Sequence, residues 1–281
     1  MGKKEEAVTL QQLWDKGRTA LNQAGIKESD LDARLLLLEA FQLDMAHFLI
    51  RRRELLDKRQ RQVQEAIDQY EMWIRERAHR IPLQHLTGKQ EFMGLEFSVN
   101  RHVLIPRQDT ETLVELVIKR CPAKNVRVLD LCTGSGCIAV SLAVLGGYED
   151  VTASDISLHA LETAYENGLS CLKSAGRKVA QKPSHSDRGE EWKREVSWKI
   201  QENGDIFKGK ITFLKSDLFQ NLDKSGNYDI IVSNPPYIQS KVIESLAPEV
   251  KDYEPRLALD GTEDGLYFYR CLAKESGDHL A

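Results

Sequence analysis

The residues best placed to do chemistry form the turn Asn234-Pro235-Pro236-Tyr237, which follows an apolar run at residues 228–233. Because prolines lack an N–H donor and fix φ, a strand must end here and leave Asn234 in a rigid, non-helical turn. Such a turn presents a carboxamide, a backbone carbonyl and a flat aromatic ring at one spot. Together these groups fit a planar amide or amine, although Asn and Pro are also ordinary turn residues.

A second motif lies upstream at residues 126–139, which read Val-Arg-Val-Leu-Asp-Leu-Cys-Thr-Gly-Ser-Gly-Cys-Ile-Ala. This pattern predicts an apolar strand, a glycine-bearing turn and an apolar helix that extends to Leu145. Gly134 and Gly136 allow the backbone to approach a ligand closely, and the helix directs its free N–H groups and positive dipole end at that ligand. No lysine follows the glycines, which argues against a nucleoside triphosphate P-loop.

Further predicted strands position an acid and an apolar residue. The strand predicted at residues 151–154 ends at Asp155, and the strand predicted at residues 211–214 is followed closely by Leu218. An acid at this spacing from a glycine turn meets ribose hydroxyls in dinucleotide-binding folds. The combination favours a ribose-bearing cofactor with little phosphate.

These motifs resemble the class I S-adenosylmethionine-dependent methyltransferases. With Asn-Pro-Pro-Tyr on the fourth strand, the chain is similar to the HemK/PrmC family, the glutamine-N5 methyltransferases of peptide chain release factors, from about Leu31 to the C-terminus. The resemblance implies an α/β fold: a Rossmann-like class I methyltransferase sheet with helices on both faces, preceded by a small all-α N-terminal domain. It also implies methyl transfer from S-adenosyl-L-methionine to the glutamine of the Gly-Gly-Gln motif of a release factor, in support of translation termination.

The resemblance assigns roles to individual residues. The expected cofactor-binding residues are Cys132, Thr133, Gly134, Ser135, Gly136, Asp155, Leu218 and Asn234. The expected substrate-binding residues are Asn234, Pro235, Pro236 and Tyr237, of which Asn234, Pro235 and Tyr237 are the expected catalytic residues. The chain departs from the family at Cys132, where glycine is usual, and cofactor binding is expected to survive because Gly134 and Gly136 remain.

The expected mechanism uses position and electrostatics. An amide nitrogen is a poor nucleophile because its lone pair is delocalised into the carbonyl. The side-chain oxygen of Asn234 and the backbone carbonyl of Pro235 would accept its two N–H groups, orient it and stabilise the positive charge that develops. Tyr237 would pack on the plane of the amide.

The composition of the chain argues against several classes of protein and of site. The 281 residues, 41% of them hydrophobic, can bury a substantial core and predict two domains. A net charge of −4 argues against direct nucleic-acid binding, which relies on clustered lysine and arginine. Five cysteines without a Cys-x-x-Cys pair argue against disulfides and a metal site. No apolar run approaches membrane-spanning length, so a cytoplasmic protein without a membrane partner is expected.

The chain is expected to divide into three segments. Residues 1–82 show helical periodicity and predict a helical N-terminal domain, which in the family helps to hold the protein substrate. Residues 83–103 predict a β-hairpin linker, and residues 104–281 the methyltransferase domain. Residues 174–209 are interpreted as an insertion that forms a mobile loop with a partial helix. The family continues with a Gly-Gly turn and two antiparallel strands, so the sequence is expected to be C-terminally truncated.

Two other functions stay open at this point. An adenine-N6 nucleic-acid methyltransferase would present a similar planar nitrogen to the same turn, but it must also capture a base and hold phosphates. The acidity of the chain and its helical N-terminal region weigh against that function. The other is an inactive cofactor-binding fragment, which binding without turnover on any substrate would support.

Overall fold

The structure, a computed structural model, describes residues 8–182, 192–202, 205–222 and 227–281. Contacts divide the chain into two compact units, Met1–Thr87 and Gly88–Ala281, and each unit has its own hydrophobic core. Within the described ranges, no helix is both long enough and apolar enough to cross a membrane.

The first unit is mainly helical. Its elements are β1 (Val8–Thr9), α1 (Leu10–Gln23), α2 (Ser29–Ala40), α3 (Met45–Arg51), β2 (Leu55–Leu56), α4 (Arg61–Ala78) and α5 (Leu83–Thr87). Helix α1 begins at a capping box, in which Thr9 and Gln12 each accept a backbone N–H from the other. Between α2 and α4, the buried Arg77 donates from Nε to Asp32 Oδ2 at 2.8 Å. The predicted helical N-terminal region is confirmed.

The second unit is an α/β domain. Its elements are β3 (Lys89–Phe92), β4 (Leu95–Ser98), α6 (Gln108–Arg120), β5 (Arg127–Leu131), α7 (Cys137–Val144), β6 (Asp150–Asp155), α8 (Leu158–Ser174), β7 (Lys178–Lys182), β8 (Lys193–Glu202), β9 (Asp205–Lys215), β10 (Ile230–Ser233), α9 (Ser240–Ile243), α10 (Pro248–Lys251), α11 (Arg256–Leu259) and α12 (Tyr267–Glu275), followed by a 3-10 turn at Ser276–Asp278. Strands β3 and β4 form an antiparallel hairpin. The larger sheet has the strand order β10-β5-β6-β9-β8-β7.

Four neighbouring strands of the larger sheet are parallel. In the register of β10, β5, β6 and β9, Leu131 lies beside both Ser233 and Ser154, and Asp155 lies beside Lys215. The carboxyl ends of these strands therefore meet at one edge, where ligands bind in open α/β sheets. The predicted Rossmann-like sheet with flanking helices is confirmed.

Helices α7 and α8 pack against this sheet. Every residue of α7 is buried, which explains why its sequence is apolar on all sides instead of on one stripe. Helix α8 carries Tyr165, whose ring meets Phe213 of β9 edge to face at 5.8 Å. The core fixes the end of each parallel strand, and so it fixes the loops that follow the strands.

The insertion does not form the expected mobile loop with a partial helix. Its described part contains β7, β8 and the first half of β9, which extend the sheet as an antiparallel edge. Val196 and Trp198 of β8 are buried in the core, while Ser197 between them points the other way. The prediction was wrong because a polar composition hid this two-residue alternation. Residues 183–191 and 203–204 lie outside the described residues.

Candidate active site

A cavity of about 360 Å³ lies at the carboxyl edge of the parallel strands. The sequence-predicted residues in its wall are Cys132, Thr133, Gly134, Ser135, Asp155, Leu218, Asn234 and Pro236. Gly136, Pro235 and Tyr237 were predicted with them but do not line it. The fold thus brings the glycine turn after β5 and the proline turn after β10 to one cavity.

Asp155 holds the glycine turn in place. Its Oδ2 accepts the Gly134 N–H at 2.9 Å, and its Oδ1 accepts the Ser157 N–H at 2.9 Å. Burial raises the pKa of this carboxyl. Each carboxylate oxygen can accept a second hydrogen bond. Asp155 can therefore fix the loop and also accept hydroxyl groups from a ligand in the cavity.

Gly136 allows the start of α7 to pack closely against α8. It precedes α7 with a left-handed φ of 81°, and a β-carbon at this position would lie 3.0 Å from the β-carbon of Ala164 in α8. Both features favour glycine. Gly136 lets α7 start directly beneath the glycine turn, which explains why the motif has a second glycine outside the cavity wall.

Asp130 is a buried carboxyl that the sequence analysis did not single out. Its Oδ2 accepts the Thr133 hydroxyl at 2.6 Å and the Ala139 N–H at 3.1 Å, so it joins β5 to the glycine turn and to α7. Its Oδ1 is buried and makes no hydrogen bond within the described part of the chain. Burial raises the pKa of Asp130 to about 7. An acid inside an apolar strand was the available signal.

Asn167 of α8 is a second positioning residue, and it was not among the predicted site residues. Its Oδ1 accepts the Ser98 N–H at 2.8 Å, and its Nδ2 donates to the carbonyls of Ser98 at 3.0 Å and Ser135 at 2.9 Å. The side chain is buried, so water cannot reach its partners. Losing Asn167 would therefore leave those backbone groups without a hydrogen bond. Asn167 therefore ties the hairpin strand β4 to the glycine turn. A lone asparagine within the apolar face of α8 was the signal.

Cys132 adopts a left-handed backbone conformation, with a φ of 59°. Only glycine occupies this region without cost, which is consistent with glycine being usual at this position. Burial raises the pKa of the Cys132 thiol to about 12. The thiol therefore stays protonated at neutral pH and is a poor nucleophile. Its place in the cavity wall is that of a small packing residue.

Leu218 also has a left-handed conformation, with a φ of 48°. The Ser216 hydroxyl holds it there, because it donates to the Leu218 carbonyl at 2.7 Å and accepts the Asn221 N–H at 3.0 Å. Such strain persists only where the surroundings impose it, and it concentrates at ligand sites. The loop after β9 thereby places an apolar side chain in the cavity wall, where it can cover a flat ring.

Asn234 lies where two cavities meet. Besides the larger cavity it lines a second one of about 250 Å³, whose wall includes Tyr237. Its Nδ2 donates to Thr110 Oγ1 at 3.3 Å. This bond leaves the side-chain oxygen of Asn234 as an acceptor. Thr110, in the first turn of α6, lines both cavities as well.

The turn after β10 is locked by a neighbouring segment. Ile238 N–H donates to the Leu259 carbonyl at 3.0 Å, and Gly261 N–H donates to the Ile238 carbonyl at 2.8 Å. A β-carbon on Gly261 would lie 2.6 Å from the Tyr237 α-carbon, so only glycine permits this approach. The ring of Tyr237 is 55% exposed. The backbone of the turn is fixed while the aromatic ring is open to a partner.

Arg107 and Glu254 form an ion pair beside both cavities. Arg107 Nη2 lies 2.5 Å from Glu254 Oε1, and Arg107 lines each cavity. Glu254 is buried, and burial raises the pKa of its carboxyl. The pair joins the loop before α6 to the loop before α11. Neither residue was among the predicted site residues, because no local pattern links positions this far apart in the sequence.

Two family models match the chain. A model of the PrmC N-terminal domain matches residues 12–88, and a model described as Eco57I restriction-modification methylase matches residues 108–269. The first match covers most of the helical unit, and the second covers most of the residues that line both cavities, though not the loop that carries Arg107.

Similar proteins align with nearly the whole chain. The release factor glutamine methyltransferase of Geobacter sulfurreducens is 33% identical over 280 residues, which are 100% of this chain and 83% of that protein. The protein of the same name from Koribacter versatilis is 35% identical, and the alignment covers 97% of this chain and 83% of the relative. A bifunctional methyltransferase of Rickettsia typhi is 31% identical, with 97% of this chain and 48% of the relative covered.

Proposed function

The chain belongs to the release factor glutamine methyltransferase family, and on that premise we propose that it transfers a methyl group from S-adenosyl-L-methionine to the side-chain amide nitrogen of the glutamine in the Gly-Gly-Gln motif of peptide chain release factors. The reaction would take place in the cytoplasm and support translation termination. Methyl transfer as a class of reaction follows from the family itself.

The observation that carries the proposal is the position of Asn234. One side chain lines the larger cavity, which also holds the glycine turn, and the smaller cavity, which also holds Tyr237. A transferase of this kind needs a methyl donor on one side of a polar group and an acceptor on the other. The position of Asn234 between the two cavities supports this role.

The volume and the wall of the larger cavity support S-adenosylmethionine as its ligand. Its volume of about 360 Å³ lies within the range of small-molecule sites. Asp155 offers a carboxylate for ribose hydroxyls, Leu218 offers an apolar face for adenine, and the turn at Gly134 lets the backbone approach the rest of the molecule. When bound, this cofactor supplies a methyl group activated by the positive charge of its sulfur.

The smaller cavity, whose wall includes Asn234 and Tyr237, is where a glutamine amide would bind. The Asn234 oxygen accepts one N–H of the amide; Pro235, whose backbone carbonyl is the expected acceptor of the other, lines neither cavity. Asn234 orients the nitrogen and stabilises the positive charge that develops on it. Thr110 keeps Asn234 in the correct orientation through the bond to its Nδ2. Tyr237 packs its ring on the amide plane.

One comparison favours a second candidate, an adenine-N6 nucleic-acid methyltransferase. The restriction-modification methylase model matches residues 108–269, and an exocyclic adenine amine is planar like an amide. The PrmC N-terminal domain match at residues 12–88 weighs towards the release factor.

A competition assay tests the two substrates. The protein is incubated with methyl-labelled S-adenosylmethionine and equal amounts of a purified release factor and duplex DNA. We expect label in the release factor and none when its Gly-Gly-Gln glutamine is replaced by asparagine, whose amide lies one methylene short. Label in DNA with none in the release factor would overturn the proposal in favour of the second candidate.

A further inference from the structure

Three exposed lysines lie side by side at the antiparallel edge of the sheet. Lys178 of β7 is directly opposite Lys199 of β8, and Lys199 is directly opposite Lys208 of β9. Like charges in this arrangement destabilise a sheet. Within the described part of the chain, none of the three has an ion-pair partner. The sheet therefore keeps a row of charges that lowers its own stability.

The lysine row faces away from the protein core. Successive residues of a strand point to opposite faces, and Val196 and Trp198 of β8 are buried in the core. Lys199 and its cross-strand partners accordingly point to the other face. The row is open to a partner instead of being covered by α8.

The row borders a cavity of about 600 Å³ at the amino ends of the parallel strands. The charged side chains that line it are Arg127, Lys178, Lys199, Lys208 and Lys210, together with the carboxylates of Glu149, Asp150 and Glu195. The small residues Ala180 and Ser197 also line it and keep it open, and Gly209 lies between Lys208 and Lys210 in its wall. A β-carbon on Gly209 would lie 2.6 Å from the Trp198 ring, so a larger residue does not fit there.

One of these carboxylates, Asp150, is paired with two of the other cations. Asp150 lies 3.8 Å from Arg127 and 3.5 Å from Lys210. The guanidinium of Arg127 is also 5.1 Å from the Tyr228 ring centre, and Glu195 accepts the Ser197 hydroxyl at 3.0 Å. The three lysines of the row are left for a ligand, and lysines bind phosphates as point charges.

From this placement we propose that the face formed by Lys178, Lys199 and Lys208 binds single-stranded nucleic acid through its backbone phosphates. The strands β7 and β9, which carry Lys178 and Lys208, are about 10 Å apart, twice the spacing of neighbouring strands. This distance leaves room for one phosphate backbone. The face lies at the opposite edge of the sheet from Asn234 and Asp155. A bound strand would therefore not compete for the methyl-transfer site, and the proposal does not depend on the methyl acceptor.

Fluorescence anisotropy with a labelled single-stranded RNA of about 20 nucleotides tests the proposal across a salt series. Each lysine that neutralises a phosphate contributes about −0.7 to the slope of log K against log salt, so three lysines predict a slope near −2. The variant with Lys178→Gln, Lys199→Gln and Lys208→Gln should lose most of this slope and at least tenfold in affinity at low salt. Its thermal midpoint should not fall, because the replacement removes repulsion.

A matched control places the same three changes on exposed lysines elsewhere, at Lys119, Lys173 and Lys274. The control should bind RNA as the unmodified protein does. Equal loss in both triple variants, or no loss in the first, would overturn the proposal. Polyglutamate that competes as well as RNA at equal charge would also overturn it and indicate an acidic protein partner instead.

Discussion

The two edges of the central sheet are built on opposite principles. At the carboxyl edge, Asp155, Asp130 and Asn167 each bond to the backbone of the glycine turn or of α7, so buried polar groups hold a cavity in one shape. At the amino edge, Lys178 and Lys199 lie exposed beside each other. The first edge has the organisation of a site that does chemistry on a positioned ligand. The second has the organisation of a surface that attracts a charged partner and leaves its geometry free.

This difference predicts that substitutions at the two edges change the stability of the protein in opposite directions. At the carboxyl edge, removing one polar group leaves its partners buried and unpaired, which is costly. At the amino edge, removing one charge relieves its neighbours.

Asn234→Ala should lower turnover about 10²-fold or more, because it removes the acceptor that orients the amide and stabilises its developing charge. Cofactor affinity should change little, since the glycine turn and Asp155 remain. Steady-state kinetics and calorimetric titration of S-adenosylmethionine measure the two effects. Turnover close to that of the unmodified protein would contradict the role of Asn234.

Asp130→Asn should change how stability depends on pH. The folded-state pKa of Asp130 is raised from 3.8 to about 7 by burial, so between these pH values the folded protein keeps a proton that the unfolded chain has lost. The free energy of unfolding of the unmodified protein should therefore fall, relative to the variant, as pH rises from about 4 to 7, by a few kcal/mol. Urea denaturation at pH 5, 6, 7 and 8 (about one-unit steps) measures the difference. Parallel curves for the two proteins would show that this proton is not bound.

Asn167→Ala should lower the free energy of unfolding by about 2 kcal/mol, because it leaves backbone groups of Ser98 and Ser135 without partners. The exposed Asn22→Ala in the helical unit serves as a control and should cost less than about 0.5 kcal/mol. Chemical denaturation compares both with the unmodified protein. Equal effects would mean that the bridge between hairpin and glycine turn adds no stability.

Thr110→Val should lower turnover about fivefold to tenfold, the effect of one neutral hydrogen bond near 1 kcal/mol. Thr110→Ser keeps the hydroxyl and should restore most of the activity. A loss in the serine variant as large as in the valine variant would indicate that the methyl group of Thr110, and not its bond to Asn234, is what matters.

Lys199→Gln should raise the free energy of unfolding by a few tenths of a kcal/mol, since it removes the central charge of the lysine row. The gain should shrink as salt is added, because salt screens exposed charges. Thermal unfolding at low and high salt measures it. A loss of stability would show that the row is not repulsive.

Sequence patterns revealed the parts of the fold that depend on short stretches of chain. The glycine turn at Gly134, the acid at Asp155 and the proline turn at Asn234 each follow an apolar strand, and parallel strands bring their carboxyl ends together. The roles of these residues in methyl transfer remain predictions until the variants are measured.

Other features could not be predicted from the sequence. Some join residues that are far apart in the chain, and one is a local cluster of charge that the net charge of the chain does not show. The pair Arg107–Glu254 and the bridge from Asn167 exist only once the chain is folded. The lysine row was not visible in the sequence for two reasons. The net charge of −4 sums over the whole chain, and the polar composition of residues 174–209 did not indicate the strands that align the lysines.

Tandem mass spectrometry of a purified release factor, after incubation with this protein and S-adenosylmethionine, tests the proposed methyl transfer directly. We predict one added methyl group, on the side-chain nitrogen of the Gly-Gly-Gln glutamine, and its loss when the Asn234→Ala protein is used. A methyl group on any other residue, or one that the Asn234→Ala protein adds equally well, would contradict the account.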